Sequence, residues 1–453
     1  MSKDKTIAAF RFGFGLPLPE PVPVHPNAMV IALDRDREIG QDLPQVTMDE
    51  VIGLMQLADD QLKQARRSER EDSIQARTAY RDTIAQIEAI ALRGAQVHFA
   101  RALDPIQGLR ERLVWFWSDH FTTRARSRRD AALPAALIDE AIRPHVAGRF
   151  ADMLKAVMQH PAMLAYLDQT SSVGPHSQVG QRRDKGLNEN LARELLELHT
   201  LGTGFDQNDV TQMAELLSGL TFGKDGVRFD PRRHEPGVET IQGIDYAGDD
   251  LQSLLMALED LAISPLTAQH LAQKLAVHFI SPMPDPDLVA AIDMAWRSSG
   301  GDLLAVTTAL LSHPASWEVT ASKIRQPFGF IIASLRALGV TSADVLKMTP
   351  TEFRRRLLRP LTAMGQPWLA PAGPDGWPES ASHWITPQTM AARITWAMDM
   401  PQKLVKSLPE PEAFASTVLG AHLTEPLLQA IRRAETRSEA IGLILASPAF
   451  NRR

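Results

Sequence analysis

The chain has 453 residues, 44% hydrophobic and 23% charged, with a formal net charge of −6. That balance fits a folded globular protein with room for a large core, and it offers nucleic acid or an anionic membrane no global attraction. Cysteine is absent, which excludes disulfides, thiolate nucleophiles, iron–sulfur clusters and sulfur-ligated zinc.

No apolar run reaches the roughly 18 to 20 residues of a membrane helix. The apolar part of MSKDKTIAAFRFGFG is too short for a secretory signal, so a cytoplasmic location is the default expectation. Residues 1–50 hold an apolar stretch, Thr6 to Leu18, followed by a passage through Pro17, Pro19, Pro21, Pro23 and Pro26. Proline at that density predicts extended chain rather than helix. Met48 to His98 predicts one or two long helices, and the wider segment 55–100 is strongly polar. Its Gln61 to Asp82 portion has the Arg, Glu, Asp and Gln content of a solvated helix face.

Leu109 to Thr122, LRERLVWFWSDHFT, is apolar enough to be a buried helix and ends on Asp119 and His120. Arg124, Arg126, Arg128 and Arg129 follow, a set expected to be solvated or paired with carboxylates. Leu137 to Leu167 predicts two helices, with breaks near Gly148 and at His160-Pro161, and Asp168 to Gly186 has the composition of a loop. A helix over Leu187–Leu201 should stop near Gly202. Asp206 or Asn208 can cap the next helix, which ends near Gly219. Thr221 to Asp250 alternates in a strand-like way among Gly, Pro and Asp, predicting a small hairpin.

Helical periodicity resumes from Leu251 through Leu311, and again over Ser322–Leu338 and Ala391–Leu408. Between the last two, Leu361–Thr386 is loop-like and carries Trp368, Trp377 and Trp384. These tryptophans, with Trp115 and Trp117, are core or line a groove. Val418 to Phe450 predicts two short helices. With no fixed-period repeat and no long linker, the expectation is one helical domain over 1–453, mainly α, a multi-helix globular array with a small β-hairpin insertion around 221–250.

The densest polar stretch is LNENLARELLELHTL, Leu187 to Leu201. At about 100° per residue, Asn190, Arg193, Glu194 and Glu197 share one sector and the leucines fill the other. His199 falls about 180° from Asn190, on the apolar side, where a ring bonded to a backbone carbonyl is expected. Arg193–Glu197 has the spacing of a helical ion pair. Asn188 or Asn190 can serve as N-cap, leaving the other amide in want of a partner. An inward-facing Asn, Arg, Glu, Glu set would need a fully satisfied polar network.

Beyond periodicity, the chain resembles the bacterial family called domain of unknown function 1800 over nearly its whole length. The resemblance runs through RFGFG at Arg11–Gly15, WFWSDHF at Trp115–Phe121, RPHVAGRFADML at Arg143–Leu154 and HPAMLAYLD at His160–Asp168. It continues through NENLARELLELHTLG at Asn188–Gly202, RRHEPG at Arg232–Gly237, KLAVHFISPMP at Lys274–Pro284 and GWP at Gly376–Pro378. Gln169, His176, Ser264 and Glu239 stand where relatives carry other residues. The resemblance implies no activity. Relatives are often encoded beside members of the family called domain of unknown function 1501, so the resemblance permits either a cytoplasmic protein or one exported together with a partner of that family.

The expected site is therefore a partly buried polar pocket of Asp119, His120, Asn188, Asn190, Arg193, Glu194, Glu197 and His234, on a helical scaffold or binding protein that works with another polypeptide. The alternative is a metal-assisted hydrolase in which His120, Glu194, Glu197 and His234 offer the oxygen and nitrogen donors that zinc, manganese or iron accept. HExxH, GxSxG and a Walker loop are all missing from the sequence, so no familiar hydrolase or nucleotide motif supports either reading.

Overall fold

Both the density and the position of proline shape the N-terminal structure. The computed structural model describes residues 3–19, 22–35, 43–183, 185–248, 250–318 and 323–453. Within it, α1 (Lys3–Arg11) is followed by a proline passage that is irregular where it is described, as expected, and then by α2 (Pro26–Arg35). Pro26 opens α2 at the first helical position, where its missing N–H breaks no hydrogen bond and its fixed φ suits the helix. The polar segment is two helices, α3 (Met48–Arg67) and α4 (Arg70–Leu103), divided at Ser68. The Thr47 side chain caps α3 by accepting from the Glu50 amide.

Helix α5 (Gly108–His120) is buried at every position except Ser118 and Asp119, and that includes Arg110, Glu111 and Arg112. Sequence reading recognised its apolar character but not that three charged residues lie inside. Each has a hydrogen-bond partner, but of these contacts only that of Glu111 is with an opposite charge: Arg110 donates to the Leu33 carbonyl at 2.8 Å, Arg143 grips Glu111, and Arg112 donates to the His278 ring at 3.0 Å. Hydrogen bonding of this kind lowers the cost of placing ionic groups in a core.

The break at His160-Pro161 falls as expected, between helices Phe150–Gln159 and Pro161–Tyr166, with His160 Nδ1 capping the second. The 168–186 passage holds a short helix, Gln178–Arg183, within an otherwise irregular path. Asp206 caps the Gln207–Leu217 helix in a reciprocal capping box with Asp209. Two antiparallel hairpins, not one, follow: β1 (Leu220–Gly223) with β2 (Gly226–Phe229), and β3 (Val238–Ile241) with β4 (Ile244–Ala247). The second turns at Gln242 and Gly243, both at positive φ, and Gln242 bonds Asp209 at the start of the preceding helix.

Helices Leu251–Ile263, Pro265–Phe279, Pro286–Ser299 and Leu303–Ser312 occupy the next periodic stretch. The Ser322–Leu338 prediction shortens to Pro327–Ala337, and residues 319–322 lie outside the described residues. The Val418–Phe450 stretch holds the two expected helices, Glu425–Arg433 and Arg437–Ala446, and a further short turn of helix opened by Pro448 at Pro448–Asn451.

Apolar side chains gather in two large buried clusters and a small third one of Ala9, Phe10, Leu16 and Leu18, and α4 and α5 contribute to both large ones. Ile84, Ile87, Leu113 and Trp117 belong to one; Phe99 and Trp115 belong to the other, with Phe328, Phe353 and Trp396. Trp115 and Trp117 are therefore core. No helix among the described residues is long and apolar enough to cross a membrane. Helix α5 thus lies between two cores, and its C-terminal residues Asp119 and His120 meet whatever crosses that junction.

Candidate functional site

What crosses it is the GWP segment. Gly376 has φ of +81°, and a Cβ there would lie 2.6 Å from the Asp119 carbonyl oxygen, so only glycine permits this approach. The next residue, Trp377, donates its backbone N–H to Asp119 Oδ1 at 2.8 Å. Together α5, the Pro265–Phe279 helix and residues 375–379 enclose a cavity of about 250 Å³ lined by Phe116, Asp119, His120, Gln273, Lys274, Val277, Asp375, Trp377, Pro378 and Glu379. Three of the runs that carry the family resemblance, WFWSDHF, KLAVHF and GWP, meet at this cavity although up to about 250 residues separate them in sequence.

Each polar wall group has a definable state. Burial pushes the Asp119 carboxyl up to about 8, against the opposing Trp377 hydrogen bond, so it is protonated at neutral pH and can donate. Burial, and then the neighbouring Lys274, His199 and His270, hold the His120 imidazole well below its usual range. The neutral ring uses Nε2 on the His199 carbonyl at 3.3 Å; since a carbonyl only accepts, Nε2 carries the proton and Nδ1 is an acceptor. That Nδ1 is buried and without a partner. Lys274 is lowered by burial, opposed by Asp119, Glu379 and Asp375. Among the described residues its ammonium has neither an ion-pair partner within 4.0 Å nor a hydrogen bond, although every other buried lysine or arginine at this junction is held by at least one acceptor.

Glu379, on the far wall, is fully engaged. It accepts from His278 Nδ1 and from Lys323 Nζ, each at 2.5 Å. Arg112 can only donate to His278 Nε2, which fixes the tautomer with the proton on Nδ1. Burial acts to raise the Glu379 carboxyl, but His278, Lys323 and Arg453 hold it well below the usual carboxylate range. His278 itself is lowered to about 3 by burial and is neutral.

The polar stretch Leu187–Leu201 reaches this site through its backbone and not through its acids. Its helix is α over Asn190–Glu194 and π over Leu195–His199. The wider π turn changes the angular phase on which the sequence reading depended. His199 is buried as expected, but its ring Nδ1 has no partner. Its own carbonyl, instead, receives His120. The Thr200 carbonyl meets His270 at 2.7 Å, and Gly202, at φ of +74°, packs against the His270 ring as the expected helix stop.

The predicted acidic face is not turned inward as one network. Asn190 and Glu197 are exposed, and Arg193 bonds Glu189 and Gln207 rather than Glu197. Asn188 acts locally: its side chain donates to the Leu167 and Asp168 carbonyls and accepts from the Asn190 amide. Glu194 is half-buried, raised by burial and by the charges of Glu197 and Asp375. His234 sits under the first hairpin, against Phe229 and 3.5 Å from Ser218 Oγ. His120, Glu194, Glu197 and His234 therefore do not converge, and no three His, Asp or Glu side chains among the described residues could hold a metal ion together. The four-residue metal site is corrected accordingly, and a hydrolase built on it loses its ligand set.

The basic run is paired as expected: Arg128 with Glu88, Arg129 with Asp59 and Asp130, and Arg126 with Asp168. Sequence reading missed Lys274, Asp375 and Glu379. A usable signal was present, since His270, Lys274 and His278 recur every four residues along one stripe of an otherwise apolar helix.

Fold and site define a mainly helical protein with a partly open cavity, walled by both polar and apolar groups, where α5, the Pro265–Phe279 helix and the GWP segment meet. The chain belongs to the family described as a protein of unknown function, DUF1800, whose sequence model matches residues 23–452. No curated protein and no solved structure matches it.

Proposed function

We propose that this chain is a helical binding protein whose ligand occupies the cavity between α5, the Pro265–Phe279 helix and the GWP segment. The ligand class follows from the wall groups. Lys274 and protonated Asp119 are donors suited to a carboxylate, while the unpartnered His120 Nδ1 accepts from an adjacent O–H or N–H. Trp377 and Phe116 add apolar surface. A cavity of about 250 Å³ suits a small hydroxy or amino carboxylic acid. The observation that carries this reading is the partly buried Lys274 ammonium, which lines the cavity without an ion pair. A buried charge left without compensation is costly, and a bound anion removes that cost.

The test is thermal shift of the purified protein against a panel of small hydroxy, amino and dicarboxylic acids, with Lys274→Met alongside. A saturable shift in the wild type, at least tenfold weaker in the variant, is expected. No shift with any member, or equal shifts in both proteins, would overturn the reading.

The proposal extends to action with a partner polypeptide of the family called domain of unknown function 1501, which rests on family resemblance alone. Cell fractionation decides that part: periplasmic recovery should require co-expression of the partner, and cytosolic recovery under both conditions would refute it.

A further inference from the structure

Behind Glu379, on the side away from the ligand cavity, lies a second and much smaller space. About 10 Å³ is open there between Arg112, Arg325, Gln326 and Arg453, with Phe10, Phe14 and Trp115 completing the wall. All four polar residues are buried, none more than 8% exposed. Each guanidinium has some of its bonds met. Arg112 reaches His278, Arg325 donates to the carbonyls of Arg452 and Phe14, and Arg453 donates to the carbonyl of His278. Aromatic faces take part of the charge, with Arg325 4.5 Å from the Phe10 ring centre and Arg112 5.5 Å from that of Phe14.

Three donors remain over. Arg112 Nε, Arg453 Nη1 and Gln326 Nε2 are buried and have no hydrogen-bond partner, whereas no side-chain acceptor lining the space is left without one. The Gln326 carbonyl oxygen already accepts from Gln366 at 3.2 Å. Charge is equally one-sided. Among the described side chains, Arg112, Arg325, Arg453 and Lys323 share one side-chain carboxylate, Glu379, and its two oxygens are already used by His278 and Lys323. Arg112 and Arg325 sit close enough to Arg453 for the like charges to oppose one another.

From this geometry we infer that the space between Arg112, Arg325 and Arg453 is a structural site for one monatomic anion, chloride in the cell. Water satisfies such a site less well, because its oxygen adds no charge to a cluster of guanidinium groups and no side-chain acceptor on the wall is left for its protons. Phosphate and carboxylates are excluded by size, since the space admits roughly one water-sized sphere. A halide accepts from several N–H groups at once and neutralises part of the excess, which is what a buried cationic cluster requires.

The experiment uses the full chain in sodium gluconate at constant ionic strength, with chloride or bromide replacing gluconate stepwise. The melting temperature should rise saturably with either halide, and a crystal grown in bromide should give an anomalous peak between the three guanidinium groups. Gln326→Glu, which places a fixed carboxylate on the wall, should fold and melt independently of halide. A wild-type melting temperature indifferent to halide, an empty or water-filled site in the bromide crystal, or an unchanged halide response in Gln326→Glu would each overturn the inference. It rests on neither Lys274 nor the ligand cavity, so a failed ligand screen leaves it standing.

Discussion

Asp119 couples the ligand cavity to pH, and the sign of that coupling is fixed by its environment. Its carboxyl titrates near 8 in the folded protein, against an ordinary value of 3.8. A carboxyl raised in this way contributes stability that is fully present below about pH 4 and is lost as pH rises through about 8, because the folded state holds a proton that the unfolded chain releases. At about 1.36 kcal/mol for each tenfold, the full displacement corresponds to roughly 5 to 6 kcal/mol. Relaxation of a residue that is not wholly enclosed reduces this to about 2 to 3 kcal/mol, still a large share of a typical folding free energy. Asp119→Asn keeps the oxygen that accepts from Trp377 and removes the ionisation. Urea denaturation at pH 5 should find variant and wild type within about 1 kcal/mol. At pH 9 the variant should be the more stable by about 2 kcal/mol or more. A variant that loses stability relative to wild type as pH rises would refute the assignment of a buried, protonated Asp119.

Three further substitutions test other parts of the structure. Gly376→Ala should cost about 2 to 4 kcal/mol in the same denaturation assay, through left-handed strain and displacement of the Trp377 amide from Asp119; a cost below about 0.5 kcal/mol would contradict the close approach. Asp139→Ala removes the acceptor shared by Val46 N, Arg101 and His98, at 3.0, 2.8 and 3.1 Å. It should destabilise by about 3 to 5 kcal/mol because buried cations are left unpaired, and retention of wild-type stability would show that this network is dispensable. Arg193→Ala and Glu197→Gln, on the solvated part of the polar helix, should change stability by less than about 0.5 kcal/mol and leave ligand-induced thermal shifts intact; loss of those shifts would return the acidic face to the site.

Elements governed by local chemistry were legible in the sequence. Asp206 capped its helix, Gly202 stopped the preceding one, and His160-Pro161 marked a break, because each acts within a few residues. The helical class followed from periodicity, and the Asp119–His120 end of α5 was read from the sequence as a place where polar groups meet apolar ones. Other features lay beyond local reading. Periodicity placed Asn190, Arg193, Glu194 and Glu197 in one sector but could not say whether that sector faced a neighbour or solvent, and Asn190 and Glu197 are exposed. The site joins Asp119, Lys274 and Trp377 from segments with no local signal of their proximity. Proline density correctly predicted an irregular path over the described part of residues 17–25, but not that Pro26 would open α2.

The central claim is that Lys274 presents to the cavity an amine that is partly removed from water and has no ion-pair or hydrogen-bond partner among the described residues. Competitive labelling of all lysines with acetic anhydride across pH, read by peptide mass spectrometry, measures this directly. Lys274 should react and should titrate below the ordinary lysine value of 10.5, and its labelling should fall when a ligand found in the carboxylic acid panel is present. Titration together with the surface lysines, or labelling unchanged by that ligand, would contradict the account.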